Sequence, residues 1–455
     1  MTFASDRVTA PSRQATPSRR SLFAGVAAGN FLVLLDTSIL NVALPDVRSD
    51  LHASQAALPW AVDAYTIVFA GLLLASGAVA DRFGARSVYR GAVLAFGALS
   101  LLCAASPDAA FLIGGRALLG VAAAGMVPAS LALLAGLYPD AAERAKAIGT
   151  WAAVTSTGLI AGPVLGGALV ELGGWRLVFL VNPVIVAVTL LTSRGLPGGR
   201  PDSVREVDRA GIALSVLALA SLTFGLIDAG TEGWGRPLPL LALALAAAAF
   251  AALFVVERRA TAPILPPALV GLARVRADIV AGAVASFIFY GVLYALTQWM
   301  VEERGLSAFE TGTAFLPMTL PMCFMPLLTG RLVARIGARR VILVGLALDT
   351  AAGGALAFAS NDTPLAVVIT AQIALSLGST LAIPAATADM AIAAPKELAA
   401  TGQGAFNAGR QAGSALGVAA LAPLATLSSS GTVLAASGLL ALLLVAVVRP
   451  APAAV

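Results

Sequence analysis

The sequence predicts an all-α polytopic membrane protein, and three observations lead there. Of its 455 residues, 59% are hydrophobic and 12% are charged, whereas soluble domains carry about 25% charged residues. The apolar residues come in runs of about 20, the length that crosses a hydrocarbon core of about 30 Å at about 1.5 Å per residue. The basic residues, lastly, gather in alternate loops between those runs.

Apolar helices are expected at residues 22–44, 58–79, 88–106, 109–137, 147–171, 177–195 and 209–229. Further ones follow at 237–256, 279–301, 311–329, 341–360, 364–386, 402–427 and 431–449, which makes fourteen spans. Residues 1–21 are polar, carry four Arg and have no apolar core, so they read as a tail and not as a signal peptide. With the N-terminus inside, inner segments hold 23 of the 29 Lys and Arg, and outer loops hold Arg48, Arg176, Arg236 and Arg304. The remaining two, Arg116 and Arg410, fall inside helices. Lys and Arg accumulate on the cytoplasmic side, so both termini are expected there. Topology therefore accounts for the net charge of +5 without a nucleic-acid partner. Arg outnumbers Lys 27 to 2, and Ala and Gly abound, as a GC-rich bacterial genome would encode. The bacterial inner membrane is the expected location.

Several chemistries find no residues to perform them. No Walker motif, nucleophile elbow or His/Cys ligand cluster occurs, so neither an enzyme, a metal nor a cofactor is expected. Cys103 and Cys323 read as small core residues of apolar helices, and His52 as a surface residue of the first outer loop.

The chain repeats itself. "GAVADRFGAR" (Gly77 to Arg86) follows the second span and "GRLVARIGAR" (Gly330 to Arg339) the tenth, with five of ten positions identical. Both fall in inner loops after even-numbered spans, as parallel internal repeats require. Eight spans separate the copies where a six-plus-six duplication would place six. The expected organisation is a tail (1–21), a six-helix bundle (22–195), two inserted helices (209–256) and a second six-helix bundle (279–449).

Here the chain resembles a known family. "GAVADRFGAR" is similar to the loop signature of the major facilitator superfamily, and "GLIAGPVLGG" (Gly158 to Gly167) to the antiporter motif of its drug exporters. "LDTSILNVALP", "WRLVFLVNP" and "NAGRQAGSALG" resemble its drug/proton antiporters with fourteen spans, the multidrug and methylenomycin-resistance exporters among them. The resemblance implies the major facilitator fold, alternating access, a small hydrophobic drug exchanged for protons, and function as a monomer. Relatives that prefer divalent cations carry extra acids in spans ten and thirteen. None stands in "TAFLPMTLPMCFMPLL" or "FNAGRQAGSALG", so neutral or singly charged substrates are implied.

The charges inside spans are the candidate coupling residues. Asp36 sits well within the first apolar run, Asp63 in the outer half of the second and Arg116 near the start of the fourth. A charge at the bilayer centre costs about 3 kcal/mol or more, and such groups pair or line wet cavities. Asp36, Arg116 and Asp63 are therefore the candidate proton-coupling group. Two other readings stay open: a fixed Asp36–Arg116 ion pair that only holds the fold, and an Asp63 exposed near a helix start. Asp349 divides evenly between coupling and polar packing. Asn41, Tyr290, Tyr294, Asn407 and Arg410 are candidates for the substrate cavity, although an aromatic stripe suits a core or lipid face as well. Arg410 also reads as a residue able to snorkel. Asp81, Arg82 and Arg86 form a candidate conformational latch at a helix end, weakened in the second copy, where Ala334 replaces the acid. Gly158, Gly162 and Gly166 leave a side-chain-free stripe for close helix approach, with Pro163 bending the helix, and Gly167 completes the stretch that resembles the antiporter motif. A proton-coupled metabolite or lipid carrier on the same fold is the alternative function, and a non-transporting lipid-handling or assembly protein a further one.

Overall fold

The computed structural model describes residues 18–54, 57–196, 209–259, 267–360, 362–395, 398–424 and 426–448, and these contain helices and no strand. The first six helices are α1 (Arg19–Asp50), α2 (Ala57–Phe83), α3 (Ala85–Ala104), α4 (Ala109–Leu137), α5 (Ala141–Gly173) and α6 (Arg176–Thr192). Then come α7 (Arg209–Glu232), α8 (Pro237–Arg259), the short α9 (Pro267–Val270) and α10 (Ala273–Gln298), which runs on into a π-turn at Trp299–Glu303. The remainder comprises α11 (Ala308–Ala314), α12 (Leu316–Thr319), α13 (Pro321–Ile336), α14 (Ala338–Ala357), α15 (Leu365–Ala393), α16 (Ala399–Leu421) and α17 (Leu427–Val447).

Local chemistry sets many of these ends. The side chains of Ser18, Asp108, Asp140 and Thr426 each accept a hydrogen bond from the backbone N–H three residues on, the usual N-cap arrangement. Ser307 and Glu310 form a reciprocal capping box at α11. The first helix starts at Arg19, three residues before the expected tail boundary, because Ser18 caps it; residues 1–17 lie outside those described. The repeated loops turn alike. Gly84 (φ 85°) and Gly337 (φ 86°) each link consecutive helices through backbone that side chains rarely adopt. That need explains why glycine stands at the same place in both copies.

The tenth predicted span is not one helix but three pieces, α11, α12 and α13. Pro317 and Pro321 sit in the first turns of α12 and α13. Neither has an N–H to give the preceding turn, so the hydrogen-bond ladder lapses twice. Among the described residues, ten helices are long and apolar enough to cross a membrane, and Ala57–Leu73 and Arg176–Thr192 are shorter apolar segments. The chain is thus a multi-pass membrane protein. Neither α13 nor α16 meets that standard of length and apolarity, so the structure does not establish the count of fourteen.

Helix packing follows one scheme twice. In the first set α1 packs on α5 and α6, α2 on α4, and α3 on α4 and α6. In the last set α10 packs on α16 and α17, α13 on α15, and α14 on α15 and α17. The sets meet where α2 lies against α16 and α5 against α11. Polar contacts described between them lie at the end away from the repeated loops: Arg48 pairs with Glu302 of the π-turn (2.6 Å), and the Phe309 N–H donates to Glu171 (3.4 Å).

Helices α7 and α8 pack on each other, and α7 also touches α2 and α16. Leu241, Leu245, Phe254 and Val255 of α8 are exposed, as suits a lipid-facing helix. Deleting both helices, with their connectors rejoined, is expected to lower the yield of folded protein while the remaining helices still pack as described. Size-exclusion chromatography and thermal unfolding of the purified shortened chain check this; failure to recover any folded protein would contradict their peripheral place.

Candidate functional site

Asp36 lies within α1 among apolar neighbours, and its charge is met by two other helices. Arg116 of α4 donates through Nη1 to Asp36 Oδ2, a short ion pair in which both side chains are fully buried. Asn182 of α6 donates its amide to Asp36 Oδ1 (3.0 Å) and lies 3.1 Å from Ser100 Oγ of α3. Arg116 Nε donates to the Ala61 carbonyl of α2 (2.8 Å). The Arg116 guanidinium also stacks 4.5 Å from the Tyr65 ring centroid, and the Tyr65 hydroxyl donates to the Val33 carbonyl (3.2 Å). Taking two charges out of water costs several kcal/mol per ion, which mutual attraction offsets only when further hydrogen bonds complete the shells. Here they largely do, with Arg116 Nη2 the atom left over.

Asp63 is different. It is fully buried on α2, and neither carboxylate oxygen has a hydrogen-bond partner. Within electrostatic reach on α10 is Tyr294, whose hydroxyl is likewise unpartnered. An isolated buried charge is costly, and a proton or a counter-ion removes that cost. The expectation of an exposed, helix-start Asp63 is thereby overturned: its place in α2 is covered on every side. Asp349 of α14 is also buried, with Oδ1 accepting from Ser379 (3.5 Å) and Oδ2 unpartnered. It stands against Gly378 of α15, in the other set of helices from Asp36.

The sequence profile described as Major Facilitator Superfamily matches residues 26–418 and 279–454. The chain belongs to the Major Facilitator Superfamily. It is similar to the methylenomycin A resistance protein of Bacillus subtilis, 34% identical over 406 residues, covering 89% of this chain and 87% of that one. The puromycin resistance protein pur8 of Streptomyces alboniger is 38% identical over 410 residues, covering 88% and 80% respectively. A crystal structure of the peptide transporter POT in complex with sulfate superposes with a TM-score of 0.71 at 15% identity, over 95% of this chain and 93% of that one. That likeness concerns the fold alone. The protein is a transporter and not an enzyme.

In this transporter the other predicted residues separate into distinct places. The helix-5 glycines lie along α1: a Cβ on Gly158 would strike the Phe31 carbonyl, one on Gly162 Ser38, and one on Gly166 the Ile39 carbonyl at 2.7 Å. Gly167 instead abuts the Ala308 backbone of α11, and the Pro163 carbonyl abuts Gly312. Helix α5 stays continuous through Pro163. Asn41 is buried and turned into its own helix, donating to Thr37 O (3.3 Å) and Ser38 O (3.4 Å). Tyr290 and Tyr294 are buried, which removes the lipid-facing reading of that stripe. Asn407 donates to Gln403 O (3.0 Å) and accepts from Arg410 (3.4 Å). At the repeated loop, Arg86 donates to the Arg194 carbonyl (3.3 Å), while exposed Arg82 lies over Phe83. The side chains of Asp81 and Cys323 lie outside those described; Cys103 is buried.

Some participants escaped the sequence reading. Asn182 holds Asp36, and its signal was an amide beside Pro183 in an apolar helix. Gly409, Gly413 and Gly417 of α16 lie on Ile279, Ala283 and Phe287 of α10, as the α5 stripe lies on α1. Their spacing of four was legible in "NAGRQAGSALG". Helices α4 and α15 both have 29 residues, and Pro128 matches Pro384 in register, so Gln372 takes the place of Arg116. Through the glycine contacts Val284 takes the place of Asp36. The charge pair therefore belongs to the first set of helices alone.

Proposed function

We propose that this transporter exports small hydrophobic drugs or antibiotics across the bacterial inner membrane, driven by protons through alternating access. The observation that supports the reading is a buried carboxylate–arginine pair, Asp36–Arg116, together with an unpartnered buried carboxylate, Asp63, in the same set of helices. In this reading a carboxylate exchanges a proton as the two sets of helices open to one side and then the other. The polar contacts between the two sets of helices, which among the described residues lie at one end, are what one state of such a cycle requires. The similarity to antibiotic-resistance proteins supports efflux.

In this reading the chain has fourteen spans: six in each bundle, with α7 and α8 inserted between. Both termini are cytoplasmic, since the Arg-rich loops mark that side. Asp81, Arg82 and Arg86 latch the bundles at the cytoplasmic end, and the α5 glycines keep the pathway tight. The protein works as a monomer with protons and a hydrophobic substrate as its partners.

Everted membrane vesicles lacking ATP are expected to accumulate drug when a pH gradient is imposed and to stop on addition of an uncoupler. A hydrophobic antibiotic to which cells expressing this chain become resistant, assayed in vesicles with and without the chain, provides the measurement. Transport that requires ATP and persists after uncoupling would rule out proton drive.

A further inference from the structure

Arg410 stands twelfth in the 23 residues of α16, about 16 Å from either end at about 1.5 Å per residue. That depth exceeds what snorkelling bridges. Its hydrogen bond is the 3.4 Å contact from Nη1 to the Asn407 side chain, and its Nε is buried without a partner. Arginine does not give up its proton inside proteins, so a cation remains within the bundle.

No carboxylate among the described residues answers it. Helix α16 packs against α10, α2, α7 and α15. From α10 the ionisable neighbour is the Tyr290 phenol, while Asp278 interacts with Arg274 and Asp389 near the start of that helix. From α2, Asp63 is fully buried without a partner of either kind. From α15, Asp389 is held by both arms of Arg274. Asp228 and Glu232 of α7 stand in its last turns, away from the middle of the bundle. Intramembrane cations generally pair with a carboxylate, as Arg116 does with Asp36.

The location matters as much as the missing partner. Helix α16 borders the other set of helices: Ala412 and Ala415 pack with Ile67, Ala70 and Trp60 of α2, while the Arg410 stem, on another face, lies on Gly282 of α10. Arg410 is thus partly exposed midway along a helix that borders the seam between the two sets, where an alternating-access transporter carries its cargo. We infer that the missing counter-ion is the cargo: Arg410 binds an anionic group, a carboxylate or its equivalent, on a small hydrophobic substrate. This rests on the export reading above and narrows its substrate class to hydrophobic monoanions.

Full-length protein in phosphatidylcholine nanodiscs tests it with three probes sharing one ring system: 2-naphthoate, 2-naphthalenemethanol and 2-naphthylmethylammonium. Calorimetric titration is expected to show naphthoate bound about tenfold more tightly than the ammonium, the gain of a charge-assisted hydrogen bond. Arg410→Gln should erase that preference, weakening naphthoate and sparing the alcohol, whereas Arg410→Lys should keep part of it. Arg410→Gln should also unfold at or near the wild-type temperature, because the cation it removes is partly exposed and pairs with no carboxylate among the described residues. Equal or cation-favouring binding by the wild type, or an anion preference that survives Arg410→Gln, would overturn the inference. So would marked destabilisation by Arg410→Gln. Binding needs no gradient, so the two readings fail separately. An anion preference without gradient-driven transport strikes the export reading alone. Gradient-driven transport of the ammonium probe in preference to naphthoate strikes the anion reading alone.

Discussion

A doubly neutral variant, Asp36→Asn with Arg116→Gln, is expected to fold and to export nothing against a gradient. The two single variants should behave worse as proteins. Each leaves one buried charge without its partner, at a cost of about 3–5 kcal/mol, and the pair is fully enclosed by α1, α2, α4 and α6. Asp36→Asn strands the Arg116 guanidinium against the Ala61 carbonyl and the Tyr65 ring. Arg116→Gln strands the Asp36 carboxylate on the Asn182 amide. Removing both charges restores neutrality, so thermal unfolding of the double variant should return close to wild type. Its transport separates mechanism from scaffold. If Asp36 exchanges the proton, drug still equilibrates across proteoliposomes but an imposed pH gradient no longer concentrates it. Gradient-driven accumulation in the double variant would make the pair a structural one and leave Asp63 as the candidate proton carrier.

Gly158→Ala is expected to unseat α5 from α1, while Gly354→Ala, on an open stretch of α14, leaves stability unchanged or slightly raised. A methyl at Gly158 meets the Phe31 carbonyl, with the Leu35 nitrogen at 3.1 Å. Both are backbone atoms of a neighbouring helix, with no flexible side chain to yield. Overpacking of this kind costs about 1–3 kcal/mol. Nothing lies within 4 Å of a methyl at Gly354, where alanine simply improves helix propensity. Unfolding temperatures of the two purified variants give opposite signs. Because α1 carries Asp36 next to Leu35, the displacement should also reach the ion pair, and drug resistance should fall for Gly158→Ala. Equal unfolding temperatures for Gly158→Ala and wild type would show that the helices do not approach as closely as the geometry states.

Much of this protein was legible along the chain because a bilayer demands it. A span needs about 20 apolar residues, and each charge within one is conspicuous. Runs of apolar residues therefore located the helices to within a few residues, and Asp36, Asp63 and Arg116 stood out singly. The glycines of "GLIAGPVLGG" announced a close approach through their spacing, and Gly84 and Gly337 announced a repeated turn. Where the chain departs from the pattern, local chemistry explains it: prolines 317 and 321 lack the N–H that one continuous tenth helix needs.

Partnership was what the sequence did not contain. Asp36 and Arg116 are separated by 80 residues, and Asn182 lies a further 66 beyond Arg116, so only the packing of α1, α4 and α6 brings them together. Asp63 and Arg410 looked alike in sequence, as single charges in apolar helices, yet one is a fully buried carboxylate without a hydrogen-bond partner and the other a partly exposed cation on a helix that borders the other set. Periodicity identifies the face a residue shares with its own helix, whereas the cost of a buried charge depends on what the facing helix supplies. Composition and spacing determined that this chain spans a membrane, repeats itself and places charges within it. Tertiary structure alone decided which of those charges are paired across helices and which are not.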